Sequence, residues 1–351
     1  MAAGCAGDPG PPAQARVVTA SSPSQAEDYC AWYGDARDGV LYFGQAAFWS
    51  AMRAHDGDPL GDLATPGPQR IGRFDLRRER MLPALDVTAA GARSGVWDVY
   101  AHPNGRVYFT TFYEAMGAVD PETGAVQRFP ALGLGLNEIA PGPGDSLLVT
   151  RYAPNGPGPP GQGSLLVVSP EGTRIAEHAL PAQAGYLAAP KTPALDTATG
   201  DYWITADLLP ERADGTPRNE AFVLGPDGTP RRRIETPEIQ FVADRRGTGL
   251  FRAERVGSRL ELVRPGGPVV LDANFAVGFD FAQDVKPGAD AGAVVTQWSG
   301  QIHRVTANGA VRTRQFPKLE ADGLYYTGVR TGDRVCATYC AGIRVVCATV
   351  R

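Results

Sequence analysis

The feature that most constrains the fold is a repeat of about 45 residues that runs through most of the 351-residue chain. Each repeat has an apolar strand, a turn with Gly, a second strand rich in aromatic residues and Thr, and then a hairpin. The second strands are GVLYFGQ (39–45), RVYFTTF (106–112), SLLVTRY (146–152), DYWITAD (201–207), TGLFRAE (248–254), GAVVTQW (292–298) and DRVCATY (333–339). Seven units of four strands predict an all-β, seven-bladed β-propeller. A six-bladed ring, in which the first unit is not a full blade, is the alternative.

The last repeat is one strand short. It supplies strands only at about 324–329, 333–339 and 343–349. The segment ARVVTAS (15–21) is apolar and β-branched, so we expect it to be the outermost strand of the C-terminal blade and to close the ring. Residues 15–351 would then form one propeller domain, preceded by a linker over residues 1–14.

The cysteines give an indication of the cellular compartment in which the protein is located. AAGC, with Cys5 before a Gly/Pro-rich linker, resembles the end of a bacterial lipoprotein signal. That resemblance implies a lipid anchor at Cys5 and a location in the periplasm or at the cell surface, and a cytoplasmic protein with an Ala/Gly-rich tail is the alternative. A tight turn at CAGI (340–343) would place Cys336 opposite Cys347, which permits a disulfide without requiring one.

Charge and hydropathy argue against several partners. The net charge is −4 and the pI is about 5.7, so there is no concentrated basic face for a nucleic acid. The run RRRIE (231–235) ends in an acid and is typical of a solvated outer strand. No apolar run reaches the length of about 18 residues that a membrane-spanning helix needs. We expect a monomer with a small-molecule or peptide ligand.

The innermost strand of each blade should line the central channel. Connectivity places the channel entrance on the same face as the loops between second and third strands. The long loops at 46–69, 153–163 and 208–219 should therefore crowd this face, and long loops on a rigid scaffold often carry function.

Aligned innermost strands bring one pair of residues from each blade to the entrance. Residues 97–110 align without a gap on 283–296, which places Trp97-Asp98 on Gln283-Asp284. The other pairs are Ala31-Trp32, Asn137-Glu138, Thr192-Pro193, Ile239-Gln240 and Tyr325-Tyr326. Candidate ligands of a divalent metal, Ca²⁺ or Mg²⁺, are Asp98, Asn137, Glu138, Gln240 and Asp284. Candidate ligand-binding residues are Trp32, Trp97, Gln283, Tyr325 and Tyr326. Alternatively, the acids bond to backbone N–H groups of the neighbouring blade and hold blades together.

The first long loop carries the candidate catalytic residues. In AFWSAMRAHDGDPLGD (47–62), the spacing of Phe48, Trp49 and Met52 is compatible with a short amphipathic helix. This helix would form a lid from which His55 or Asp56 reaches the channel as a base. Alternatively, the helix packs its apolar face on the blades. We expect His102, His178 and His303 to be structural or solvated.

The strand and turn sequences of these repeats resemble those of two protein families. NEIAPGPGDSLLVT (137–150) and WDVYAHPNGRVYFT (97–110) resemble the strand pairs of the gluconolactonase/senescence-marker family, and GAVDPETGAVQRFP (117–130) is similar to the repeat of virginiamycin B lyases. The resemblance implies a small-molecule lyase or a lactone/ester hydrolase with a divalent metal at the channel mouth. It places Asn137 at a metal-binding position, whereas Trp97 departs from the pattern. The alternatives are an extracytoplasmic module that binds a sugar, peptide or cation, and a protein-interaction scaffold.

Overall fold

In the residues that it describes, the computed structural model has strands and two single 3-10 turns. It describes residues 15–19, 30–46, 69–91, 95–111, 116–152, 163–211, 215–216, 218–235, 239–243, 250–256, 259–264, 267–271, 282–288, 292–320, 323–340 and 342–350. Over 239–243 and 255–256 only the backbone is described. No helix in these ranges is long and apolar enough to cross a membrane.

The strands are numbered in chain order. The first fourteen are β1 (Arg16–Thr19), β2 (Cys30–Arg37), β3 (Val40–Ala46), β4 (Arg70–Asp75), β5 (Arg80–Asp86), β6 (Asp98–Ala101), β7 (Val107–Thr110), β8 (Met116–Val119), β9 (Val126–Arg128), β10 (Leu136–Pro141), β11 (Leu147–Arg151), β12 (Ser164–Val168), β13 (Arg174–Ala179) and β14 (Tyr186–Leu195). The others are β15 (Tyr202–Pro210), β16 (Arg218–Leu224), β17 (Pro230–Glu235), β18 (Ile239–Ala243), β19 (Leu250–Val256), β20 (Arg259–Val263), β21 (Val269–Leu271), β22 (Ala282–Pro287), β23 (Ala293–Gln297), β24 (Gln301–Val305), β25 (Val311–Gln315), β26 (Leu324–Thr331), β27 (Arg334–Cys340) and β28 (Arg344–Thr349). The 3-10 turns are Thr88–Ala90 and Pro130–Leu132.

These strands form antiparallel four-stranded sheets arranged in a ring. Five sheets, β6–β9 through β22–β25, are separate and use four consecutive strands each. The strands β2–β5 and the set β1, β28, β27 and β26 are also four-stranded, and a parallel bridge from Cys30 to Gly342 joins them into one curled sheet. The innermost strands β2, β6, β10, β14, β18, β22 and β26 contact one another in this order, and β26 also contacts β2. The predicted all-β propeller is therefore confirmed.

The predicted N-terminal strand is present. β1 pairs with β28, with Val18 opposite Val345, and so becomes the outermost strand of the sheet that β26 begins. Glu79, from the turn between β4 and β5, forms ion pairs with Arg16 and Arg334 and ties this strand to the first sheet. The first and last parts of the chain thus complete one sheet together.

Opposite faces of β1 provide a matched test of this closure. Val18 packs on the core shared with Val345 and Cys347, whereas Val17 is exposed. We expect Val18→Asp to lower the free energy of unfolding by about 1–3 kcal/mol, because it buries an unpaired polar group. Val17→Asp should change it by less than about 0.5 kcal/mol. Urea unfolding of both variants measures the difference, and equal losses would show that β1 is not docked by this face.

Two disulfides occur near this closure. Cys336 lies opposite Cys347 in the hairpin of β27 and β28, as the predicted turn requires, and the two are bonded. A second disulfide joins Cys30 to Cys340. Disulfides are typical of proteins in oxidising, extracytoplasmic compartments. The proposed lipid attachment at Cys5 lies outside the described residues.

The entrance loops are only partly described. Residues 47–68 and 153–162 lie outside the described part of the chain. The third predicted loop, 208–219, is shorter than expected, because β15 extends to Pro210 and Leu208 pairs with Arg218 at the start of β16. Leu208 is buried, so its apolar side chain extends the strand beyond the predicted end.

Candidate functional site

Six of the innermost strands share a β-bulge at the same height, whereas the described part of β18 pairs with β19 without a register shift. In β10 the register moves from Leu136 opposite Arg151 to Ile139 opposite Val149, so Asn137 and Glu138 share one partner, Thr150. The registers of β2, β14, β22 and β26 shift in the same way. In β6 the N–H of Trp97 donates to the Thr110 carbonyl, and Asp98 pairs with the same residue. Such bulges re-aim side chains and are frequent beside active sites.

We call the two residues at each bulge a bulge pair. The bulge pairs are Trp32-Tyr33, Trp97-Asp98, Asn137-Glu138, Lys191-Thr192, Gln283-Asp284 and Tyr326-Thr327. Three of them match the pairs predicted from the sequence. The predicted pairs Ala31-Trp32, Thr192-Pro193 and Tyr325-Tyr326 are wrong by one residue. The extra residue shifts the side chains, and a gapless alignment does not show where the shift falls.

This shift removes Tyr325 from the candidate site. Its ring packs between Phe316 and Tyr339 in the core, at centroid distances of 5.8 and 4.8 Å. Its hydroxyl donates to the Pro317 carbonyl at 2.7 Å. Tyr325 is therefore a core residue, and the prediction that it lies at the channel mouth is wrong.

Four rings from three bulge pairs form what we call the aromatic cluster. Trp32 lies 4.5 Å from Trp97 and 4.8 Å from Tyr326, centroid to centroid. Tyr33 lies 5.5 Å from Trp97 and 5.4 Å from Tyr326. Trp32 and Tyr326 are buried, while Tyr33 and Trp97 are partly exposed. Part of the surface of Tyr33 and Trp97 is therefore not covered by the protein.

A glycine in the neighbouring strand permits the close contact between Trp97 and Trp32. Gly44 lies opposite the bulge of β2, and a Cβ there would lie 2.4 Å from the carbonyl oxygen of Val96 and 2.8 Å from that of Trp97. Val96 donates its N–H to the Gln45 carbonyl at 2.9 Å. A glycine at this position lets the second sheet lie directly against the first, which brings Trp97 to Trp32.

Asp98 holds two sheets together. Its Oδ1 accepts a hydrogen bond from the N–H of Val99 at 2.7 Å, and its Oδ2 accepts one from the N–H of Ile139, in the next sheet, at 2.8 Å. This agrees with the alternative expectation for the acids. Burial raises the pKa of the Asp98 carboxyl even though both hydrogen bonds favour its charged form.

Glu138 belongs to the same region of the channel. The hydroxyl of Thr192, in the neighbouring sheet, hydrogen-bonds to its carboxyl. Burial, and secondly the charge of Asp98, raise the pKa of Glu138 to about 8. Both causes favour the protonated form of this carboxyl.

Asp284 approaches from a third sheet. Its Oδ1 lies 3.5 Å from the Lys286 Nζ, and the Thr327 hydroxyl hydrogen-bonds to its carboxyl. Burial raises its pKa despite the nearby ammonium. We refer to Asp98, Glu138 and Asp284 together as the acid cluster.

Tyr33 connects the acid cluster with the aromatic cluster. Burial raises the pKa of its phenol well above the usual value, and the charges of Glu138, Asp284 and Asp98 raise it further. The phenol is thus within electrostatic reach of all three carboxyls and remains a hydrogen-bond donor at neutral pH.

The acid cluster fits a divalent metal in donor type but not in spacing. The carboxylate oxygens of Asp98, Glu138 and Asp284 do not all lie within 4.8 Å of one another. Ca²⁺ holds its oxygen ligands at about 2.3–2.6 Å, so two ligands of one ion are at most about 5 Å apart. Of the other candidate ligands, Asn137 donates through Nδ2 to the Pro190 carbonyl at 2.8 Å, and the side chain of Gln240 lies outside the described residues.

The candidate catalytic residues His55 and Asp56 also lie outside the described residues. Two other histidines have structural contacts. The Nε2 of His102 lies 2.9 Å from the Asp145 carbonyl oxygen, and the ring nitrogens of His303 lie within 2.9 Å of Thr313 and Gln297. These contacts agree with the expectation that both histidines are structural or solvated.

Sequence reasoning missed three polar groups of the site, Tyr33, Lys191 and Thr327. They join it because the bulge moves the side chains by one position, or because a neighbouring sheet brings one of them to a carboxyl. Lys286 is two residues after Asp284 on β22 and so has its side chain on the same side of the strand. That spacing is the one signal in the sequence that could have identified a partner of the acid cluster.

No protein-family model and no curated protein sequence matches the chain. Solved structures do. A catalytically inactive variant of virginiamycin B lyase from Staphylococcus aureus, crystallised with quinupristin, superposes with a TM-score of 0.62 at 14% identity, over 96% of this chain and 100% of that one. A selenomethionine form of the lyase gives 0.63 at 13% identity, over 96% and 99%. The β-propeller domain of Cps50 (Swd1) from Myceliophteria thermophila gives 0.58 at 11%, over 95% and 99%. The chain therefore has the β-propeller fold that these proteins share.

Proposed function

We propose that the protein is a small-molecule lyase or lactone/ester hydrolase that works at the bulge pairs of a seven-bladed ring, with the curled sheet counted as two blades. The observation that carries the proposal is the acid cluster, in which carboxyls from three sheets meet one phenol and one ammonium group. Acid–base catalysis commonly uses carboxyl groups whose different environments give them different pKa values. The fold likeness to virginiamycin B lyase is consistent with such a role.

Each residue of the cluster suits a different step. We assign Glu138, whose pKa is raised, the transfer of a proton to a leaving oxygen. We assign Asp284, beside Lys286, the removal of a proton from a water or from a carbon next to a carbonyl. The phenol of Tyr33 can donate a hydrogen bond to a developing oxyanion. Asp98 keeps the second and third sheets in register through Ile139 and acts as a positioning residue.

No step of this scheme is assigned to a divalent ion, because the carboxylate oxygens of the acid cluster do not all lie within 4.8 Å of one another. The gluconolactonase resemblance and the lid with His55 and Asp56 stay predictions. Turnover is therefore measured in Ca²⁺, in Mg²⁺ and in EDTA, so that metal dependence is an experimental result.

The test is turnover of a panel of lactones, aryl esters and cyclic depsipeptides, with products identified by mass spectrometry. We expect Glu138→Gln to lower kcat by at least about 100-fold, since general acid–base catalysis contributes about 10²–10⁴. The matched control is Glu235→Gln on the outer strand β17, where Glu235 is exposed and pairs with Arg233. Wild-type turnover that survives Glu138→Gln would refute the proposed role of this residue, and no turnover over the whole panel would refute the enzyme.

The aromatic cluster supports a second function, the non-catalytic binding of a ligand. Tyr33 and Trp97 expose ring surface beside acids, as binding sites for sugars, peptides or cations do. Tight binding of a ligand without chemical change, combined with an inactive panel, would favour this function.

A further inference from the structure

The channel mouth has two chemically different halves. The first residue of each bulge pair is aromatic in the first, second and last sheets, where it is Trp32, Trp97 or Tyr326. In the third, fourth and sixth sheets it is Asn137, Lys191 or Gln283. A ligand that fills this mouth therefore contacts ring surface on one side and polar groups on the other.

The polar half is rich in acceptors. Asn137 Oδ1 and Gln283 Oε1 are buried and have no hydrogen-bond partner among the described residues, and their side chains are 6% and 4% exposed. The acid cluster adds carboxylate oxygens. The two ammonium groups nearby already have carboxylate partners, because Lys191 Nζ lies 2.5 Å from Asp207 and Lys286 Nζ lies 3.5 Å from Asp284.

Buried acceptors without donors are costly. A ligand that brings N–H donors satisfies the acceptors of Asn137 and Gln283, and the acidic groups nearby attract its positive charge. The acid cluster does not gather its carboxylate oxygens within 4.8 Å, as a compact metal site does, and an organic ammonium group does not require such a grouping. The exposed faces of Tyr33 and Trp97 suit the carbon frame of such a ligand and attract its charge.

We propose that this mouth binds a small organic cation, with a primary ammonium group in the acceptor-rich half and an apolar frame against the aromatic cluster. The inference rests on the proposed function for the location of the site and names its substrate class. It does not require turnover.

The experiment is calorimetric titration of the full chain with 2-phenylethylammonium at millimolar concentration. Its neutral and anionic analogues, 2-phenylethanol and 3-phenylpropionate, serve as ligand controls. We expect the ammonium compound to bind at least about tenfold more tightly than either analogue, and Asp284→Asn to weaken it about tenfold. Gln283→Glu, which adds a carboxylate at the buried acceptor, should tighten it, and Glu235→Gln should leave it unchanged.

Three results would overturn the inference. One is equal binding of the ammonium compound and the alcohol. Another is unchanged binding in Asp284→Asn and Gln283→Glu proteins whose circular dichroism and melting temperature show that they fold. The third is Ca²⁺ binding that competes with the ammonium compound and is abolished by Asp284→Asn, which would assign the site to a metal. Turnover of the lactone and ester panel is scored separately, so the proposed function can fail or survive independently.

Discussion

Removing the Cys30–Cys340 disulfide is expected to cost about twice as much stability as removing Cys336–Cys347. The two bonds lie in the same part of the ring but close loops of very different length, with sequence separations of 310 and 11 residues. The chain-entropy model gives about 6 kcal/mol for the long loop and about 3 kcal/mol for the short one, because the longer loop restricts the unfolded chain more.

Their positions support the same order. Cys30 begins β2 in the first sheet, and Cys340 ends β27 in the last, so this bond links the two sheets that close the ring. The bond between Cys336 and Cys347 lies within one hairpin, which backbone pairing already holds. All four cysteines are buried, so replacement by Ala removes similar packing at each site.

The measurement is urea unfolding of the double variants Cys30→Ala/Cys340→Ala and Cys336→Ala/Cys347→Ala, under oxidising conditions and with a thiol reductant. With reductant, the wild type loses both bonds and should be less stable than either variant under oxidising conditions. The hairpin variant could lose as much free energy of unfolding as the other variant under oxidising conditions. That result would show that noncovalent contacts close the ring and that the Cys30–Cys340 bond is not the main interaction that closes it.

The fold could be predicted from the sequence because its signals are local and repeated. The amino-acid sequence itself shows the alternation of apolar and polar residues along the strands, the turn residues, and the missing strand of the last repeat. ARVVTAS was assigned to the last sheet by that shortage, and β1 lies there. The opposition of Cys336 and Cys347 followed from the length of one turn.

The site could be predicted only in part, because it depends on contacts between repeats. Asp98, Glu138 and Asp284 were selected because alignment placed them at equal heights. Their neighbours Tyr33 and Thr327 were missed, since a bulge moves a side chain without leaving a mark in a gapless comparison. Cys30 and Cys340 meet only when the first and last sheets meet, and no local pattern encodes that distance.

The stability of the protein should fall as the pH rises from about 6.5 to 8, and Glu138 should be a main cause. Its folded pKa is about 8, raised by burial and then by Asp98, against 4.5 for an ordinary glutamate. Over this interval the unfolded chain has lost the proton that the folded protein keeps. Unfolding therefore releases a proton, and the stabilisation present at low pH is lost as the pH rises through the folded pKa, at up to about 1.4 kcal/mol per pH unit.

Other groups titrate mainly outside this interval or act in the same direction. Asp98 and Asp284, which face Glu138, have raised pKa values of the same sign, and Lys191 moderates that of Glu138. The lowered pKa values of His178 and His303 oppose the trend, but chiefly below pH 6.5, because that is where an unfolded histidine binds its proton.

Glu138→Gln keeps the shape of the side chain and removes the titrating group. We expect the variant to be on the order of 2 kcal/mol more stable than the wild type at pH 8, and the difference to shrink towards pH 5. Urea unfolding midpoints at several pH values measure it, and Glu235→Gln should follow the wild-type curve. Parallel curves for wild type and Glu138→Gln would show that this carboxyl is already ionised at neutral pH, and its assignment as the proton donor would then be wrong.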